Sequence, residues 1–119
     1  MKHALVLEDN HLIAIMIEDE LIGHGYGSIE IATTQEQAIE MAKIRCPDLI
    51  IVDDLVDSGT GVETIRIICR NRTIPVLFIT DSPDVVQAIP SDAIMVPKPF
   101  WKPRLAAGIE AAIDAPVTF

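Results

Sequence analysis

"DLIIVDDLVDSGTG", residues 48–61, sets an apolar run directly against three carboxylates. Leu49 to Val52 are apolar without alternation, the pattern of a strand covered on both faces. Asp53 and Asp54 follow at once, Asp57 comes four residues after Asp53, and glycines occupy positions 59 and 61. Desolvating a carboxylate is costly, and neighbouring like charges raise each other's energy. Acids at the end of a buried strand therefore call for a compensating cation.

The rest of the chain repeats this strand-then-helix pattern. "HALVLE" (3–8), "SIEIA" (28–32), "IPVLFIT" (74–80) and "AIMVP" (93–97) read as further strands, the second of them more exposed. Between them, "NHLIAIMIEDELIGHG" (10–25) puts Leu12, Ile13, Met16, Ile17 and Leu21 at helical spacing, with Gly23 or Gly25 as the stop. "TTQEQAIEMAKIRC" (33–46) opens on Thr34 and Gln37, the spacing of a capping box, and carries Ala38, Met41, Ala42 and Ile44 or Arg45 onward to Pro47. "VETIRIICRN" (62–71) predicts a helix with Ile65, Ile68 and Cys69 inward. "SPDVVQAI" (82–89) predicts a short helix closed by Pro90, and "KPRLAAGIEAAIDA" (102–115) a last amphipathic one. Alternating units of this kind predict an α/β fold: a single doubly wound, five-stranded parallel sheet with five helices, the fourth short.

Length and composition agree with one domain over residues 1–119. Half of the residues are hydrophobic, enough for one core at this size. No apolar run has the ~20 residues of a membrane span, and the N-terminus lacks a secretory signal pattern. The balance of 9 basic to 18 acidic residues, net −9, argues against direct nucleic-acid binding and suits a cation or a basic partner. Cys46 and Cys69 show neither CxxC nor Cys/His spacing, so the expectation is two buried free thiols in a reducing cytosol.

Ligands of such sheets sit beyond the carboxyl ends of the strands. Glu8 and Asp9 end the first strand, Asp53 and Asp54 the third, Thr80 the fourth, and Lys98 follows the fifth. Glu8, Asp9 and Asp53 around one point would suit a hard divalent cation such as Mg²⁺. Lys98 adds a positive charge and Thr80 a hydroxyl. Taken singly, each has a plainer reading: a loop acid, a surface lysine, a turn threonine. Together they are equipment for phosphoryl transfer to a carboxylate.

At this point the chain resembles the receiver domains of two-component response regulators. The resemblance is carried by "LVLEDN" (5–10), "PDLIIVD" (47–53) with Gly61 downstream, "PVLFIT" (75–80) and "VPKPF" (96–100). It covers essentially the whole chain and implies a flavodoxin-like sheet of strand order 2-1-3-4-5. It implies Asp53 as the phosphoacceptor, with Thr80 and Lys98 on the phosphoryl group. It further implies Mg²⁺ held by Glu8, Asp9, Asp53 and the main-chain carbonyl of Leu55. The implied function is a cytoplasmic phosphorelay switch that catalyses only its own phosphorylation and dephosphorylation. The implied partners are a histidine kinase or histidine phosphotransfer protein and a downstream protein, with a weak homodimer as a further candidate, no direct nucleic-acid binding by this domain and no membrane insertion. Side chains alternate along a strand, so only one of Asp53 and Asp54 can face the acid pair. The family spacing picks Asp53.

Four positions depart from the family pattern. Asp81 follows Thr80 where a small residue is usual; an acid there either crowds the phosphoryl group or caps the next helix, and the cap is the favoured reading. Asp57 stands where proline is common. The stretch from Thr80 to Lys98 is roughly one helical turn short. Met95 replaces the usual aromatic ring three residues before the lysine. These departures motivate a rival reading, a receiver-like interaction module that acts without phosphorylation. A Mg²⁺-dependent phosphatase with an aspartyl nucleophile is weaker, because no second acid stands two residues after Asp53.

Overall fold

The structure, a computed structural model, describes residues 1–53, 61–80, 93–98, 100 and 102–116. Nine elements follow one another: β1 (Lys2–Leu7), α1 (His11–Gly23), β2 (Tyr26–Ala32), α2 (Gln35–Ile44), β3 (Leu49–Asp53), α3 (Gly61–Ile68), β4 (Val76–Thr80), β5 (Ile94–Pro97) and α4 (Lys102–Asp114). The strands form one parallel sheet in the order β2-β1-β3-β4-β5, as expected. Four helices lie among the described residues. The predicted helix at 82–89 falls outside them.

Alternation along the strands builds two cores from one sheet. Ala4 and Val6 of β1, Leu49 and Ile51 of β3, and Leu77 and Ile79 of β4 face α1 and α4, where Ile17, Leu21, Leu105 and Ile109 meet them. Leu5, Leu7, Ile50, Val52, Val76 and Phe78 face the other way, against Ala38 of α2 and Val62 and Ile65 of α3. Every residue of β3 and of β4 is buried, which is why neither strand alternates in sequence. A fully buried side chain such as Phe78 contributes about 1.5–3 kcal/mol of apolar transfer energy.

The helix starts are chemically explicit. Asn10 Oδ1 accepts from the backbone N–H groups of Leu12 (3.0 Å) and Ile13 (3.2 Å), capping α1. Thr34 Oγ1 accepts from Gln37 N at 3.2 Å, half of the expected capping box. The returning half is shifted by one residue, because Gln37 Oε1 accepts from Thr33 N (2.9 Å) and not from Thr34. α1 closes at Gly23, and the turn after it is completed by Gly25 at φ +88°, a conformation that glycine adopts without strain.

Three burial expectations need correction. Leu12 is 73% exposed and Met16 40%, while Ala14 takes the inward position on α1. Ile44 is 86% exposed at the end of α2. Cys46 is exposed because the helix ends before it, whereas Cys69 is buried; both are free thiols.

Candidate functional site

The site grows from four strand ends. Pairing of Leu7 with Val52, of Asp53 with Ile79 and of Thr80 with Pro97 brings the carboxyl ends of β1, β3, β4 and β5 level. Each junction is pinned by backbone. Glu8 N–H donates to Ala32 O (3.0 Å), and Lys98 N–H donates to Thr80 O (2.7 Å). Glu8, Asp53 and Thr80 are buried, and Asp9 is exposed at the rim.

Lys98 sits at the centre. Its Nζ lies 3.0 Å from Asp53 Oδ2 and 3.0 Å from Glu8 Oε1. The contact with Asp53 is a hydrogen bond. The contact with Glu8 is an ion pair whose alignment leaves buried Oε1 without a well-directed donor among the described residues. The other Glu8 oxygen, Oε2, accepts from the backbone N–H of Asn10 at 3.0 Å. Asn10 therefore holds the site together at two points, capping α1 with its side chain and fixing Glu8 with its main chain. Sequence reasoning opened the first helix at Asn10 without assigning it this second contact. It also gave no direct Glu8–Lys98 pair, having assigned the two residues to different ligands.

Electrostatics at this edge follow from burial. Desolvation raises the Glu8 carboxyl above the ordinary glutamate value, and Asp53 adds to the rise, while the Asn10 N–H and Lys98 work against it. Desolvation alone would lower Lys98, but its close contacts with the charges of Glu8 and Asp53 together outweigh it and raise the ammonium. The lysine is thus held in its charged form by two acids.

Carboxylate oxygens of Glu8, Asp9 and Asp53 lie within 4.8 Å of one another. An all-oxygen donor set of this kind, with an ill-aligned buried oxygen on Glu8 and an exposed acid open to solvent, fits a hard cation that retains several waters. Of the other positions singled out from sequence, Asp54, Leu55, Asp57 and Asp81 lie outside the described residues. Met95 is half-buried on β5 and packs beside Phe78 in the core facing α2 and α3. Asp53, Thr80, Lys98, Glu8 and Asp9 are brought to one edge.

The response regulator receiver domain model matches residues 4–110. The chain belongs to the response regulator receiver domain family. Among curated proteins, this receiver is 31% identical over 113 residues to the phyllosphere-induced regulator PhyR of Methylorubrum extorquens, covering 92% of this chain and 42% of that protein. It is 31% identical to the KDP operon transcriptional regulatory protein KdpE of Escherichia coli K12, over 95% of this chain and 52% of that one. The receiver thus spans about half the length of these relatives. Among solved structures, the receiver domain of Erythrobacter litoralis PhyR superposes with a TM-score of 0.86 at 28% identity, covering 95% and 90% of the two chains. A Bartonella quintana PhyR, described as an anti-anti-sigma factor, gives 0.80 at 30% identity over 94% of this chain and 47% of that one.

Proposed function

We propose that this receiver is a phosphoacceptor switch in which Asp53 takes a phosphoryl group from a phosphohistidine on a histidine kinase or histidine phosphotransfer protein. The observation that carries this reading is the Lys98 ammonium 3.0 Å from Asp53 Oδ2 at the carboxyl edge of the sheet. An Asp53 oxygen forms the new P–O bond as the P–N bond to the donor histidine breaks, and the histidine nitrogen leaves to be reprotonated. Lys98 neutralises charge on the transferring oxygens, and the Thr80 hydroxyl donates to one of them. Mg²⁺, held by Glu8, Asp9, Asp53 and, by family resemblance, the Leu55 carbonyl, would supply further neutralisation there. Glu8 is oriented for that role by the Asn10 N–H.

Residues 1–119 are taken as one receiver unit, working in the cytoplasm, where free Cys46 and Cys69 stay reduced. It is a switch and not a metabolic enzyme: the phosphate adds about two negative charges, which bias a protein-binding surface. By analogy with the PhyR relatives, the downstream partner is a protein. Direct nucleic-acid binding by this unit is opposed by its net charge of −9.

The test is incubation with Mg²⁺ and acetyl phosphate followed by intact-mass measurement. The expected result is one phosphate adduct, stable to acid and labile to base, on the wild type and on Asp54→Asn but not on Asp53→Asn. Adduct loss in Asp54→Asn alone would move the acceptor by one residue. A wild type that takes no phosphate would favour the interaction module, and sustained turnover of a small phosphorylated molecule would favour the phosphatase.

A further inference from the structure

The carboxyl edge uses one of the chain's nine basic residues, Lys98. Three others gather at the opposite end of the sheet. Lys43, Arg70 and Arg72 line a cavity of about 470 Å³ between the carboxyl-terminal ends of α2 and α3. Its apolar lining comes from Ile39 and Ala42 of α2, Ile67 and Ile68 of α3, and buried Ile74 ahead of β4. No Asp or Glu lines it among the described residues. In a chain of net charge −9, that is a local reversal of sign. A lysine in the last turn of α2 has a structural reason to be there, since it complements the helix dipole and pairs with Glu40 Oε1 at 3.4 Å. Arg70 and Arg72 lie past the last residue of α3, are exposed, and form no ion pair with a carboxylate among the described residues. Exposed cations alone are a solvated face. Cations at the mouth of an apolar hollow are a different object, and its volume falls in the range of small-molecule sites.

We propose that this cavity binds a small amphipathic anion, an aliphatic chain or ring ending in one carboxylate or phosphate, with the apolar part on the isoleucine lining and the head taken by Lys43, Arg70 and Arg72. Both halves of the ligand are needed. A head without a chain gains only solvent-screened attraction to exposed cations. A chain without a head leaves the cations unused.

Cys46 provides the readout, because it lines the cavity and is exposed while Cys69 is buried. Neutral iodoacetamide will alkylate Cys46 selectively, and octanoate is the probe. Octanoate should slow the alkylation saturably. Hexanoate should protect more weakly, by roughly fourfold per methylene lost from the buried chain. Acetate and uncharged octanol should protect little. The Arg70→Gln/Arg72→Gln double variant, checked for an unchanged melting transition, should bind octanoate at least about tenfold more weakly. Amide shifts on octanoate addition should centre on Ile39, Ile68 and Ile74. Equal protection by octanol, undiminished protection in the double variant, no saturable protection at all, or shifts centred on the exposed apolar face of α1 at Leu12 and Ile15 would each overturn the proposal.

Discussion

Lys98 and Glu8 form a 3.0 Å ion pair in which the carboxylate is 1% exposed and the lysine side chain 9%. Burying two charges together costs desolvation that their attraction roughly offsets, whereas removing one partner strands the other. Lys98→Ala should therefore lower stability by about 3 kcal/mol, measured by urea unfolding in EDTA. Adding Glu8→Gln should recover about 1–2 kcal/mol of that loss, so the double variant should be more stable than Lys98→Ala alone. Strict additivity of the two changes would show that Glu8 is not stranded when Lys98 is removed.

The same burial gives the metal-free protein a defined pH response. Glu8 is raised above the ordinary 4.5, chiefly by desolvation, so over the window from 4.5 up to its folded value the native state binds more protons than the unfolded chain. Stability contributed by Glu8 is complete below 4.5 and is lost as pH rises through the folded value. Glu8→Gln should flatten that fall. At alkaline pH, Lys98 is raised above 10.5, so its contribution persists below 10.5 and is lost as pH climbs through the folded value. Tyr26 and Cys69, both raised chiefly by burial, add losses of the same sign. The Lys98 share is therefore the difference between wild type and Lys98→Ala. Identical acid-side slopes in wild type and Glu8→Gln would remove Glu8 from the pH response.

Helix α4 packs so closely on the sheet that a methyl group does not fit. A Cβ at Gly108 would meet Val96 Cγ2 at 2.7 Å and Leu77 Cδ1 at 3.1 Å, and both residues are buried. Alanine gains about 1 kcal/mol in helix propensity over glycine, but overpacking costs about 1–3 kcal/mol. Gly108→Ala should destabilise by about 1 kcal/mol net. In a Val96→Ala background, where the nearest contact is gone, the same change should become neutral or stabilising. A stabilising Gly108→Ala in the wild type would mean that Val96 and Leu77 yield freely.

Which features were legible in the sequence follows from which signals were unambiguous. Unbroken apolar runs at Leu49–Val52 and Val76–Ile79, separated by helical periods, predict a parallel sheet, and a parallel sheet dictates that strand-end residues share one edge. That is why Glu8, Asp53, Thr80 and Lys98 were placed together from sequence. The inward face of α1 was not legible, because residues 12–17 are all apolar and carry no helical phase. Packing resolved it in favour of Ala14, Ile17 and Leu21 and left Leu12 and Met16 outside. Exposure of Cys46 turned on where α2 ends, two residues earlier than the apolar pattern implied. The contacts of Glu8 with Lys98 and with the Asn10 N–H depend on rotamers and backbone direction, which strand assignment alone does not specify.

Asp9 separates metal binding from folding. It is exposed, yet its carboxylate belongs to the same acidic cluster as buried Glu8 and Asp53, with ligand oxygens within 4.8 Å. Without a cation it only adds repulsion to that cluster. Asp9→Ala in EDTA should therefore leave the urea midpoint unchanged or slightly higher, by about 0–1 kcal/mol. With a cation present the sign reverses. A ligand that binds only the native state at ten times its dissociation constant stabilises by about 1.4 kcal/mol, so Mg²⁺ should raise the wild-type midpoint. Asp9→Ala should lose most of that gain at the same concentration, together with its phosphorylation by acetyl phosphate. Lys98→Ala should differ in kind, being unstable before any metal is added. A drop in the EDTA midpoint for Asp9→Ala would give Asp9 a structural role, and an undiminished Mg²⁺ response would exclude it from the coordination sphere.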